Sequence, residues 1–110
     1  MSKFTSCQNK GFFMEFENGF RISVQWGIMN YCQRKYDGDF NAPQKEDYWE
    51  STSCEIAVFD KANNMINIKG DDYDVVIGWL STDQVAKVIT VVQSAKTVDE
   101  IKLKCQSLKI

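Results

Sequence analysis

The alternation of apolar residues on both sides of an Asn-Gly step constrains the fold more than any other feature of the chain. Apolar side chains occupy every second position on each side of that step: Phe12, Met14, Phe16, then Phe20, Ile22, Val24, Trp26. A two-residue turn at Asn18-Gly19 would place the two sets on opposite faces. A three-residue loop over 17–19 places them on one face, with Gly19 in the left-handed conformation. The pattern therefore predicts a β hairpin over 11–26 with one buried face.

A β meander is predicted over 53–79. Two apolar runs flank an Asn-rich loop, which is good turn chemistry. The predicted register places four β-branched side chains on one face, pairing Val58 with Ile66 and Ile56 with Ile68. A third β-forming run, 73–79, continues the meander.

Helix signals dominate the C-terminal part of the sequence. Two capping boxes open the predicted helices, Ser81 with Gln84 and Thr97 with Glu100. The helices extend over 82–95 and 98–109, and each carries one apolar stripe at helical spacing. The stripes are Val85, Val88, Ile89, Val92 and Val98, Ile101, Cys105, Leu108. Such stripes indicate that both helices cover a sheet.

Together these elements predict a single α+β domain over 1–110. The expected architecture is an antiparallel, hairpin-rich sheet of about four to five strands, followed by two C-terminal α-helices packed on one face. A chain of 110 residues is long enough for one such domain, and 44% hydrophobic residues supply its core.

Charge and hydropathy exclude several classes of protein. No run approaches the ~18 apolar residues of a membrane span, so no membrane partner is expected. The first ten residues lack the apolar region of a signal peptide, which predicts a cytoplasmic protein. The net charge is −2, but residues 37–74 hold three basic and ten acidic side chains, a net charge of −7. Without a basic stripe, direct nucleic-acid binding is not expected, whereas an acidic surface that meets a basic partner is compatible with this distribution.

Catalytic and metal-binding patterns are weak. The chain contains no histidine, so the commonest general base is missing. The four cysteines, Cys7, Cys32, Cys54 and Cys105, are widely spaced and are expected to be free thiols. The acidic cluster Asp71, Asp72, Asp74 lacks the layout of a calcium loop. These observations predict a protein that is not an enzyme and that uses no metal or cofactor.

Residues 27–50 form a long aperiodic excursion that is too aromatic for a solvated linker. Tyr, Trp and Arg are the residue types that dominate binding energy at interfaces. The predicted binding residues are Asn30, Tyr31, Arg34, Lys35, Tyr36, Phe40, Tyr48 and Trp49. An alternative is that these aromatics form a satellite core beneath the loop, made of Trp26, Tyr31, Tyr48 and Trp49.

Four short motifs resemble small accessory proteins of tailed phages and prophages. They are F-x-M-x-F-x-N-G at 12–19, S-V-Q-W-G at 23–27, N-Y-C at 30–32 and D-V-V-I-G-W-L-S at 74–81. The order of sheet and helices is also similar to the Thoeris anti-defence sponges, phage proteins that sequester cyclic ADP-ribose signals between protomers. The resemblance implies a phage-encoded counter-defence factor in the host cytoplasm.

Two functions follow as hypotheses. The first is a protein that binds and inhibits a bacterial immune component, in which alanine at Tyr36, Phe40 or Trp49 abolishes partner capture. The second is an oligomeric sponge that holds a cyclic nucleotide or cyclic ADP-ribose signal through Arg34, Lys35 and nearby groups. A structural subunit of a particle is a third class, and self-association into a homo-oligomer is left open.

Overall fold

A computed structural model describes residues 2–8, 10–39, 47–70 and 75–110. Six strands precede two helices: β1 (Lys3–Ser6), β2 (Gly11–Glu15), β3 (Arg21–Gln25), β4 (Cys54–Phe59), β5 (Met65–Ile66), β6 (Val76–Leu80), α1 (Thr82–Ser94) and α2 (Val98–Ser107). The predicted α+β class is confirmed. In the described ranges the sheet has one strand more than predicted, because β1 pairs with β2 at its edge.

All strand pairs are antiparallel, and the strands lie in the order β1-β2-β3-β4. Strand β3 occupies one edge of β4, and β5 and β6 lie one after the other along its opposite edge. Strand β4 is therefore central, and four of its six residues are buried.

The first hairpin has the predicted register. Phe12 pairs with Val24 and Met14 with Ile22, and the Phe16 amide donates to the Phe20 carbonyl across the loop. Gly19 has a φ of 89°, the left-handed conformation that a three-residue loop requires. The local apolar pattern is thus sufficient to specify both the turn and the buried face.

The second hairpin is only partly as predicted. Val58 pairs with Ile66, but the pairing of Ile56 with Ile68 is wrong, because β5 ends at Ile66 and Ile56 pairs instead with Ile77 of β6. The third β run therefore returns to β4 and does not extend the meander beside β5. The first part of that predicted run, residues 73 and 74, lies outside the described residues.

The two helices cover one face of the sheet. Their buried residues, including Val88, Val92, Ile101 and Cys105, pack with the apolar face of β3 and β4 in one core. The predicted capping box of α1 is present, with both Ser81 and Gln84 engaged. At α2, Thr97 caps the helix, but the Glu100 carboxylate accepts from the amide of Lys96. No helix in the described ranges has the length and hydropathy needed to cross a bilayer.

The opposite face of the sheet carries small and polar side chains. Ser23, Gln25 and Ala57 are buried there although no helix covers them. The guanidinium of Arg21 lies 5.4 Å from the Phe13 ring centroid and 5.5 Å from that of Phe59, and shields the centre of this face. We call it the open face, and the excursion after β3 crosses one end of it.

Candidate functional site

Glu55 of β4 anchors the loop that follows β3. Its Oε1 accepts a hydrogen bond from Asn30 Nδ2 at 3.1 Å, and its Oε2 accepts from the Tyr31 amide at 2.9 Å. Glu55 pairs with Gln25, so both side chains project from the open face. Asn30 Oδ1 also accepts from the amide of Gly27 at 2.9 Å. Bonds from both ends of one carboxylate thus hold residues 27–31 against the sheet.

A close approach to β6 fixes the same loop from the other side. The Trp79 amide donates to the Tyr31 carbonyl at 2.9 Å. A Cβ placed on Gly78 would lie 2.4 Å from the Cβ of Tyr31, so only glycine allows this contact. Between Cys54 and Ile56, the pairing of β4 with β6 shifts by one residue, which is a β-bulge. The bulge turns Trp79 out of the regular alternation of β6.

Four residues lie where the loop approaches β6, and we call them the aromatic surface: Tyr31, Lys35, Tyr36 and Trp79. The Lys35 ammonium lies 4.5 Å from the Tyr31 ring centroid and 4.6 Å from that of Tyr36, within cation–π range. Tyr31, Tyr36 and Trp79 are 50%, 69% and 59% exposed. Two exposed rings therefore lie around one ammonium, and the exposed Trp79 lies next to Tyr31 on β6.

The backbone at two of these aromatics is strained. Tyr36 has a φ of 69° and Trp79 a φ of 60°, a conformation that bulky residues rarely adopt. Each residue costs about 1–2 kcal/mol in this region. Hydrogen bonds hold both in place, from the Tyr36 amide to the Ile28 carbonyl at 3.0 Å and from the Trp79 amide to Tyr31. Strain of this kind concentrates at functional sites.

Arg34 and Trp49, two predicted binding residues, contact each other. The Arg34 guanidinium lies 3.7 Å from the Trp49 ring centroid, and its Nε lies 3.5 Å from Asp37 Oδ2. Trp26 Nε1 donates to the Trp49 carbonyl at 2.6 Å, and Trp49 Nε1 donates to the Trp26 carbonyl at 3.0 Å. The Trp26–Trp49 pair fits the satellite-core alternative, but the other two residues of that alternative, Tyr31 and Tyr48, are exposed.

The structure therefore separates the predicted binding residues into three groups. Tyr31, Lys35 and Tyr36 form the aromatic surface, whereas Asn30, Arg34 and Trp49 make internal contacts. Tyr48 is 88% exposed but is absent from the contacts of that surface. Phe40 lies outside the described residues.

Trp79 is the member of the surface that the sequence prediction missed. The signal was present, because Gly78 interrupts a strand that otherwise alternates, and a glycine at such a place often marks a bulge. In a regular strand, residues two positions apart share a face, so Trp79 would lie on the same face as Ile77. The bulge removes it from that face.

Two buried thiols of the core have raised pKa values. Burial raises the pKa of the Cys54 thiol to about 12, and Cys32 and Glu55 add to the rise. Burial also raises the pKa of Cys105 to about 11. Both thiols are therefore poor nucleophiles near neutral pH. Within the described residues, no group of three acidic, cysteine or histidine side chains is placed to hold a metal ion.

Comparison with known proteins adds no relative. No protein-family model matches the sequence, and no curated protein or solved structure is significantly similar to it.

Proposed function

We propose that this chain is a non-enzymatic, phage-encoded counter-defence protein that binds and inhibits a bacterial immune component in the host cytoplasm. The aromatic surface of Tyr31, Lys35, Tyr36 and Trp79 would be its contact with that component. The family assignment rests on the resemblance of the four sequence motifs to phage accessory proteins.

The exposed, strained aromatics carry the proposal. Tyr36 and Trp79 are held at positive φ by backbone hydrogen bonds, and more than half of each side chain stays in solvent. Tyrosine and tryptophan bury a large area at low entropic cost on binding, which is why they dominate protein interfaces. Glu55 and Gly78 fix the backbone beneath them, so the rings are preorganised for a partner.

A binding role also fits the chemistry of the chain. The chain contains no histidine, the commonest general base, and the raised pKa values of the Cys54 and Cys105 thiols make these two groups poor nucleophiles. This supports an inhibitor that acts by occupying a surface.

The sponge hypothesis stays a prediction. Its Lys35 lies between the exposed rings of Tyr31 and Tyr36, but its other two polar groups are engaged inside the protein. Of the groups that it requires, Arg34 is stacked on Trp49 and lies beside Asp37, and the side-chain amide of Asn30 is bonded to Glu55 and Gly27. A nucleotide phosphate would have to break these contacts before it could bind there.

A plaque assay tests the proposed function. The protein is expressed in a panel of bacterial strains, each carrying one defence system, and each strain is challenged with a phage that the system blocks. We expect the wild type to restore plaques in one strain. Restoration in none of them would contradict the counter-defence function.

Matched variants locate the contact. The double variant Tyr36→Ala/Trp79→Ala should lose the restoration, because each ring is expected to contribute about 2 kcal/mol to binding. Tyr48→Ala removes a more exposed tyrosine outside the aromatic surface and should retain the restoration. Full activity of the double variant would rule out the aromatic surface as the contact.

A further inference from the structure

A cavity of about 580 Å³ lies at the end of the molecule where α1 begins. It lies between the first half of α1, the sheet and residues 49–53. Its apolar lining includes Phe12, Val24, Trp26, Trp49, Leu80 and Ile89. This volume falls within the range of cavities that bind small molecules, about 300–1,000 Å³.

The aromatic wall of the cavity offers no free hydrogen-bond donor. The indole N–H groups of Trp26 and Trp49 donate to each other's backbone carbonyls, at 2.6 and 3.0 Å. The ring of Phe12 packs edge-on against Trp26, with 6.2 Å between centroids. The wall therefore presents ring faces and edges to an occupant.

Of the four hydroxyl groups in the lining, those of Thr52 and Thr82 belong to exposed residues, whereas those of Ser51 and Ser53 are engaged inside the protein. Ser51 Oγ donates to the Ser53 carbonyl at 2.6 Å, and Ser53 Oγ accepts from the Gln33 amide at 2.8 Å. The thiol of Cys54, which lines the same cavity, is buried. A polar body placed here would lose hydrogen bonds to water without replacement.

The charge at the rim disfavours anions. Glu50 is exposed and is the only charged residue among those that line the cavity in the described part of the chain. The positive end of α1 opposes this effect only weakly. Ser81 and Gln84 already cap that end, and Asp83 lies in its first turn.

We propose that this cavity binds a small molecule with a hydrocarbon body and a neutral or positively charged head group. The body lies between the Trp26–Trp49 pair and the Val85–Ile89 side of α1, and the head group lies at the rim near Glu50. This site is separate from the aromatic surface, and nothing in the proposed function requires it.

Titration with alkyl probes of one chain length and different heads tests the proposal. Decanol, decylammonium and decanoate are added to the full chain, and binding is followed by calorimetry and by tryptophan fluorescence. Decanol and decylammonium should bind, and decanoate should bind about tenfold more weakly because of Glu50. From hexanol to decanol, each added methylene should tighten binding by roughly fourfold until the cavity is full. No saturable binding, or tightest binding of decanoate, would overturn the proposal.

Two neighbouring helix positions provide a matched pair of variants. Ala86 lines the cavity and is exposed, whereas Lys87 is exposed and is not part of the lining. Ala86→Phe should fill the rim and weaken decanol binding by about tenfold, and Lys87→Phe should leave it unchanged. Equal affinities of both variants and the wild type would place the probe elsewhere and refute the site.

Two further measurements distinguish small-molecule binding in the cavity from binding at the aromatic surface and from self-association. Tyr36→Ala should bind decanol with wild-type affinity. Decanol binding therefore tests the cavity independently of the proposed function. Sedimentation with and without decanol shows whether the cavity is filled by a second copy of the chain. A dimer that dissociates when decanol is added would identify that copy as the occupant and contradict a small-molecule site.

Discussion

The two ends of β3 are held by different means. Before β3, the turn at 17–19 is fixed by local geometry and by Asn18, whose Nδ2 donates to the carbonyls of Val92 and Ala95 at 2.9 Å and of Gln93 at 3.1 Å. After β3, the loop is fixed by Glu55 and by the close contact at Gly78. The first end joins the hairpin to the helices. The second end supports the aromatic surface.

The difference shows where stability and binding are expected to reside. Asn18 satisfies carbonyls at the C-terminal end of α1, which otherwise lack partners, and so it couples the turn to the core. Glu55 and Gly78 position side chains that remain in solvent. Substitutions at the Asn18 end should therefore lower the stability of the whole fold, whereas substitutions at the Glu55 end should mainly displace the aromatic surface.

The largest effect is expected at Asn18. Aspartate at this position keeps the turn preference and the acceptor for the Phe20 amide, but it places a carboxylate against three carbonyls. Asn18→Asp should lower the free energy of unfolding by about 3 kcal/mol, and Asn18→Ala by about 2 kcal/mol. Urea unfolding measures both. An aspartate variant as stable as the wild type would show that these bonds do not couple the turn to α1.

A smaller effect is expected at Glu55. Glutamine retains one acceptor but turns its NH₂ group toward a donor. Glu55→Gln should therefore reduce the stability of the loop by about 1–2 kcal/mol. The loss should be local, with faster hydrogen exchange at the Tyr31 amide and little change in the core. Glu17→Gln removes an exposed carboxylate from the turn and should stay within about 0.5 kcal/mol of wild type. Unchanged exchange at Tyr31 would contradict the role assigned to Glu55.

The smallest effect is expected at Glu100, in the first turn of α2, as a dependence of stability on pH. Hydrogen bonds from the Lys96 amide and the Lys104 side chain lower the pKa of Glu100 below its ordinary 4.5. Because the folded pKa is depressed, the stability from these bonds is present above pH 4.5 and is lost as the pH falls through the lower folded value. Glu100→Gln should flatten this part of a plot of melting temperature against pH. A plot unchanged by Glu100→Gln would exclude the contribution.

Local pattern was sufficient to predict the helix-covered face. The alternation around Gly19 specifies the first hairpin, and the capping residues Ser81 and Thr97 mark where both helices begin. The pairing of strands that are distant in the sequence was harder to predict. Ile56 can pair equally well with any apolar β-branched residue, and the choice of Ile77 over Ile68 depends on how the chain returns after β5.

The sequence predicted the loop residues of the candidate site but not its residue on β6. Aromatic composition identified Tyr31, Lys35 and Tyr36, because these residues share one segment without a regular period. Trp79 joins them through a bulge, which is a tertiary feature. Composition also does not distinguish an exposed ring from a buried one, and so it placed Trp49 in the site although its indole N–H bonds to Trp26.

One measurement tests most directly whether the aromatic surface is the binding contact while the Asn18 end serves the fold. The wild type, Asn18→Ala and Tyr36→Ala/Trp79→Ala are each used to capture partners from a lysate of the strain in which plaques are restored. Native mass spectrometry and urea unfolding are then applied to each. We predict that Asn18→Ala loses stability but retains a stoichiometric host protein, and that the double variant retains stability but loses that protein. Capture by the double variant at wild-type stoichiometry would contradict the account.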